Sequence, residues 1–151
     1  MLVWMLAMAV VAEAPPAERA KIFRAAGFQR RNGRWEGCGD PGTASYGAGN
    51  IEHYGDLNGD GRPEAVVTES STYCYGNTGT GFTLLTRSAG GAWTKLHESE
   101  GVATFLKTRA NGWPELEVGG PGFCFPVLRW SGKAFVTHRH AYSGKLCRPQ
   151  G

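Results

Sequence analysis

A chain of 151 residues amounts to a single domain, long enough to bury a core without help. Its 23 glycines and 8 prolines, with five tryptophans, seven phenylalanines and five tyrosines, favour strands joined by tight turns over a helical fold. The formal charge of +3 is modest and no basic-aromatic motif occurs, which argues against nucleic acid as a partner.

The chain opens on an apolar run, residues 2–12 (Leu-Val-Trp-Met-Leu-Ala-Met-Ala-Val-Val-Ala). It is too short to span a bilayer and sits where the apolar core of an export signal would. Ala12-Glu13-Ala14 offers a small-x-small cleavage site, although no Lys or Arg precedes the run and Pro15 follows the cut. The expectation is a signal peptide over 1–14 and one β domain over 15–151, periplasmic or secreted, with no membrane span after cleavage. A retained N-terminal anchor is the alternative. Four cysteines lie beyond this segment, and an even number in an exported chain suggests two disulfides. Three connectivities are open, of which we favour Cys38–Cys74 with Cys124–Cys147. No C-x-x-C pair is present, so zinc and thioredoxin-type chemistry fit poorly.

Residues 16–26 read as a short helix, the only one expected: proline near its start, Glu18 in the first turn, Gly27 just past the end, and Ile22, Phe23 and Ala26 on one face. Residues 28–31, Asn32-Gly33 and 34–36 form a hairpin with a two-residue turn. Residues 37–50 are glycine-rich and expected to be irregular. Strands follow at 51–54, 64–70, 81–87, 92–98, 102–108, 115–119, 123–130 and 133–140, with turns at Gly76-Asn77, Gly90-Gly91, Asn111-Gly112 and Ser131-Gly132. Pro126 should mark an edge or a bulge.

The most informative stretch is Asp56-Leu57-Asn58-Gly59-Asp60-Gly61-Arg62-Pro63-Glu64. Oxygen-bearing side chains stand at positions one, three, five and nine, with glycine at six. A hard cation takes six to eight oxygens, and a short loop supplies them only by folding round the ion. Asp56, Asn58 and Asp60, the carbonyl of Arg62 and the carboxylate of Glu64 are therefore the candidate ligands of one calcium ion. Three such carboxylates repel one another, so the loop should loosen without a cation. An EF-hand is excluded: position twelve is Val67 rather than Glu, and the flanks read as strands. The alternative is a glycine-rich turn capped by Asp and Asn.

A D-x-N-x-D-G loop between strands, running into Pro-Glu-Ala-Val-Val, resembles the FG-GAP/VCBS-type repeats of secreted and cell-surface proteins. The match covers about residues 54–67. The resemblance implies propeller blades and a role in adhesion or in recognising protein or carbohydrate. Gly61-Arg62-Pro63-Glu64-Ala65-Val66-Val67 is echoed 51 residues later by Gly112-Trp113-Pro114-Glu115-Leu116-Glu117-Val118, and Cys74-Tyr75 at a shift of 50 by Cys124-Phe125. This marks units over about 51–98 and 102–140. In the second, Lys107, Arg109 and Asn111 replace Asp56, Asn58 and Asp60, so one calcium site is expected. Two units cannot close a propeller. The expected fold is mainly β: about two blade-like antiparallel units with one short N-terminal helix.

Other chemistry is weaker. His138 and His140 would share a strand face and could ligate zinc or copper with His97, although exposed side chains explain them as well. Thr43-Ala44-Ser45-Tyr46-Gly47 misses the nucleophile elbow, and Gly76–Gly81 lacks the lysine and helix of a phosphate loop. Glu52, Glu69, Glu98, Glu100, Glu115 and Glu117 could supply an acid pair for glycoside hydrolysis but read as solvated strand-face charges. The aromatics Trp93, Phe123, Phe125, Trp130 and Phe135 should fill the core, with Trp113 the most exposed. The function expected is an exported, non-enzymatic calcium module that binds an unidentified protein or carbohydrate at the cell envelope, its metal structural. The competing readings are a small inhibitor or immunity protein blocking an envelope hydrolase, with Gly119–Gly122 or residues 76–81 as its plug, and a carboxylate-dependent hydrolase.

Overall fold

The computed structural model describes residues 12–150, so most of the expected signal segment lies outside the described residues. Among the described residues no helix is long and apolar enough to cross a membrane.

Helix α1 (Pro16–Ala25) starts with proline in its first turn and carries Glu18 there, where the helix dipole favours an anion. It buries Ile22 and Phe23 completely, which at about 1.5–3 kcal/mol per side chain anchors the helix to the sheet beneath it. The hairpin β1 (Gln29–Arg31) and β2 (Arg34–Glu36) turns through Asn32 and Gly33 at φ of 51° and 77°, as the primed two-residue turns require. Trp35 stacks on Phe23 with ring centroids 5.0 Å apart, closing the hairpin over the helix.

Two antiparallel meanders follow. The first sheet has the order β3 (Gly47–Gly55), β4 (Glu64–Ser70), β5 (Thr80–Arg87), β6 (Trp93–Glu100). The second runs β7 (Val102–Ala110), β8 (Trp113–Gly119), β9 (Phe125–Trp130), β10 (Phe135–Tyr142), β11 (Lys145–Leu146). Because side chains alternate, each central strand feeds two cores. Ala65, Val67 and Leu85 pack with Ile22, Phe23 and Phe28 under the helix. Val66, Phe82 and Leu84 pack with Trp113, Leu116, Val118, Leu128 and Phe135 of the second sheet. The first sheet is thus a middle layer buried on both faces, which explains the unbroken apolar run Ala65-Val66-Val67. The expected architecture holds: mainly β, two antiparallel units, no closed propeller.

Several local expectations are corrected. Strand β3 begins at Gly47, inside the segment expected to be irregular. A Cβ on Gly49 would lie 2.7 Å from the Phe28 ring, so this glycine serves close packing rather than looseness. A second helical turn, α2 (Thr72–Tyr75), and a 3-10 turn at Gly76–Thr78 link β4 to β5; the Ser71 hydroxyl caps α2 by accepting from the Cys74 amide at 3.0 Å. Trp113 is buried at 6 % exposure against Trp130 and Phe135, because the Asn111-Gly112 turn swings it back into the sheet. Phe123, expected inside, is 75 % exposed. Pro126 sits in an interior strand, past the end of the β8–β9 ladder but opposite His140 in the β9–β10 ladder.

Both favoured disulfides are present. Cys38–Cys74 ties the coil after the hairpin to α2, and Cys124–Cys147 ties the β8–β9 loop to the chain after β11, with Cα atoms 6.1 and 5.8 Å apart. Such bridges accord with an oxidising environment.

Candidate functional site

The connection from β3 to β4 is the oxygen-rich loop. Gly59 and Gly61 take φ of +78° and +81°, the left-handed region a Cβ resists, and so let the chain double back. The amides freed by these turns donate to the loop's own side chains. Gly59 and Gly61 donate to the two oxygens of Asp56, each at 2.8 Å. Asp60 N–H donates to Asn58 Oδ1 at 3.1 Å, and Arg62 N–H to Asp60 Oδ1 at 2.7 Å. The Arg62 guanidinium reaches Asp60 Oδ2 at 3.0 Å while its Nε donates to the Arg87 carbonyl. Glu64 is wholly buried: Oε1 accepts from the amides of Leu57 (2.7 Å) and Asn58 (3.3 Å), Oε2 from the Thr86 hydroxyl (2.8 Å). From the second sheet, Arg109 donates to the Leu57 carbonyl at 3.0 Å.

These contacts set the electrostatics. The Gly61 amide is the main cause holding the Asp56 carboxyl below its ordinary value, with the Gly59 amide adding to it against burial. Burial pushes the Glu64 carboxyl up, opposed by the Leu57 amide and the Thr86 hydroxyl. Within the loop, backbone amides satisfy the side-chain oxygens and the Arg62 guanidinium supplies one positive charge, at Asp60.

Each carboxylate oxygen accepts more than one partner, so Asp56, Asn58 and Asp60 keep lone pairs beyond those the amides use. With the Arg62 carbonyl they are the oxygens of this loop that a hard cation would use: two carboxylates, an amide oxygen and a carbonyl, the remainder water. Glu64 stands differently, with both oxygens engaged and no exposure, so it braces the amides of the loop's entry. Among the described residues no group of three or more His, Cys, Asp or Glu stands close enough to hold a metal. A cation at this loop would compete with the Arg62–Asp60 pair.

The matching place in the second sheet is built otherwise. Strands β7 and β8 run to within a two-residue turn, Asn111-Gly112, so Lys107 and Arg109 lie inside a strand and no loop remains to wrap an ion. Glu115, also buried at 2 % exposure, accepts from Arg139 at 2.8 and 2.9 Å and from Arg129 at 3.3 Å. The Arg139 hydrogen bonds, over the opposing cost of burial, hold its carboxyl at about 2.

The remaining candidates separate. A bulge between Thr137 and Arg139 breaks the alternation that would have placed His138 and His140 on one face. His97 lies apart from them, half-buried between Phe82 and Phe135, where burial lowers its pKa. Ser45 Oγ accepts from the Thr72 amide and hydroxyl, a structural tie. Two carboxylates read as solvated are in fact buried, Glu115 and Glu69. Glu69 Oε2 accepts from the Gly37 amide (2.8 Å) and the Tyr46 hydroxyl (2.7 Å), and Oε1 from the Tyr75 hydroxyl (3.1 Å). Nothing in the local pattern announces this, because two of the three donors, the Gly37 amide and the Tyr46 hydroxyl, lie 32 and 23 residues away along the chain. No family model, curated protein or solved structure matches the chain. The loop's own geometry is what the functional reading stands on.

Proposed function

We propose that this chain is an exported calcium-binding β module, related to FG-GAP/VCBS-type repeats, that acts in protein or carbohydrate recognition at the cell envelope, with calcium in a structural role. One observation carries the reading. Asp56, Asn58 and Asp60 sit on a glycine-turned loop between two strands, at the junction where Arg109 of the second sheet grips the loop backbone. A cation held there would stiffen the contact between the two sheets rather than take part in chemistry. Two disulfides support a destination in an oxidising, periplasmic or extracellular space, where weak sites of about 10⁻⁴–10⁻³ M are useful.

The test is calorimetric titration of the purified chain with calcium chloride, beside Asp56→Ala and Asp60→Ala. A site of about 10⁻⁴ M should raise stability by roughly 1.4 kcal/mol at 1 mM calcium, and the variants should lose that gain. Absence of both heat and a thermal shift in the unaltered protein would overturn the reading.

One observation favours a second reading, the inhibitor that plugs a hydrolase. Phe123 projects 75 % exposed from the β8–β9 loop, beside Tyr142, on a segment stapled by Cys124–Cys147. A rigid loop presenting one aromatic side chain is suited to enter a partner's pocket. The hydrolase reading gains less, since Glu115 is locked by two arginines and Glu64 by loop amides.

A further inference from the structure

Glu69 and Glu115 are equally buried, at 2 % exposure, but only one of them has a counter-charge. Glu115 has Arg139 and Arg129. Glu69 has two tyrosine hydroxyls and one amide, all neutral donors, and no ion pair among the described residues. A buried carboxylate without a cation is costly to keep, and a carboxylate accepts at about four positions, of which three are filled.

Glu69 lines a cavity of about 210 Å³ on the face of the first sheet that carries Val67 and meets Phe28. Phe28 and Tyr75 contribute aromatic wall, and edge strand β6 contributes Glu98 and Glu100; no Lys, Arg or His lines the space. Lys95 reaches Glu98 at 3.2 Å from an exposed position and offsets one of these charges, leaving Glu69 and Glu100. Tyr75 is seated against Gly81, where a Cβ would come within 2.6 Å of its ring, so the wall depends on that glycine. The Tyr75 hydroxyl is raised by burial first, and then by the charges of Glu69, Glu100 and Glu98, which converge on the same point.

We propose that this cavity binds an organic monocation, an alkylammonium or guanidinium group, with the cation facing Glu69 and Glu100 and its stem against Phe28 and Tyr75. Aromatic faces attract weakly hydrated organic cations, and carboxylates complete the charge. The volume suits one side chain's head group rather than a row of sugar rings. The inference is independent of the calcium loop, which lies elsewhere on the first sheet.

The test is an NMR titration of the full chain in EDTA with three probes: Nα-acetyl-arginine methylamide, its lysine counterpart, and the neutral citrulline analogue. Saturable shifts at Tyr75, Gly81 and Thr83 are expected with a cationic probe, and binding at least about tenfold weaker with citrulline. Whichever of arginine or lysine binds more tightly names the cation. Glu100→Gln, on an exposed edge, should weaken binding about threefold or more without changing the melting temperature. Glu69→Gln should weaken it further, checked by melting temperature for intact folding. Equal binding of citrulline and arginine probes, no response to Glu100→Gln, or no saturable shift up to about 20 mM probe would overturn the proposal.

Discussion

Glu64 and Glu115 occupy matching places in the two sheets, each directly after a proline near the head of the second strand, yet their charges are met in opposite ways. Glu64 is surrounded by amides and a hydroxyl, which satisfy hydrogen bonds but bring no positive charge, so burial wins and its carboxyl rises. Glu115 is clamped by two guanidinium groups, and its carboxyl falls to about 2. The difference follows from what stands before each strand. An eight-residue loop supplies amides to Glu64; the tight turn before Glu115 supplies none, and arginines from β9 and β10 take over. One carboxylate organises a loop, the other fastens three strands of a sheet.

The sharpest way to break this comparison is to remove each charge. Glu115→Ala leaves two arginines facing a buried gap and should cost about 3 kcal/mol, read by urea denaturation. Glu64→Gln keeps an acceptor for the Leu57 amide and removes a poorly compensated charge, so its cost should be smaller, about 1 kcal/mol. Equal losses would mean that the two sites are not built differently.

Acid should separate them next. Glu115, with its folded pKa below the unfolded value, contributes stability that is present above the ordinary carboxylate range and disappears as pH falls toward about 2. Glu64 is shifted upward, so folding gains as pH drops from neutrality through its raised pKa. Thermal melts from pH 7 to 2 should therefore show Glu115→Gln with a flattened acid limb. Glu64→Gln should lose the mild gain on first acidification. A Glu115→Gln profile parallel to that of the parent would contradict the arginine clamp.

The smallest effect concerns the ion. Converting Lys107, Arg109 and Asn111 together to Asp, Asn and Asp restores the ligand letters in the second unit, but those positions lie in a strand and its two-residue turn. We expect no second calcium equivalent by calorimetry; a second equivalent would show that composition alone makes the site.

Much of the fold was legible because it rests on local rules. The hairpin at Asn32-Gly33, the helix over Ile22 and Phe23, and the paired strands each carry a turn residue or a period that short-range sterics enforce. The failures share one cause. Trp113 between Gly112 and Pro114 looked exposed, Gly49 looked loose, and Glu69 and Glu115 looked solvated; each meets side chains or amides from another segment of the chain. The same holds for the loop: its oxygens could be read in order, but not that Glu64 would turn toward the Leu57 amide, or that Arg62 would cover Asp60.

The sequence by itself determined the strand-rich composition, the order of the meanders, the placement of ligand-type oxygens at Asp56, Asn58 and Asp60, and a cysteine count suited to two bridges. Only the tertiary structure decided which carboxylates lost their water and what replaced it. Solvation is a property of everything packed around a group, and for Glu69 and Glu115 most of those neighbours come from other segments of the chain.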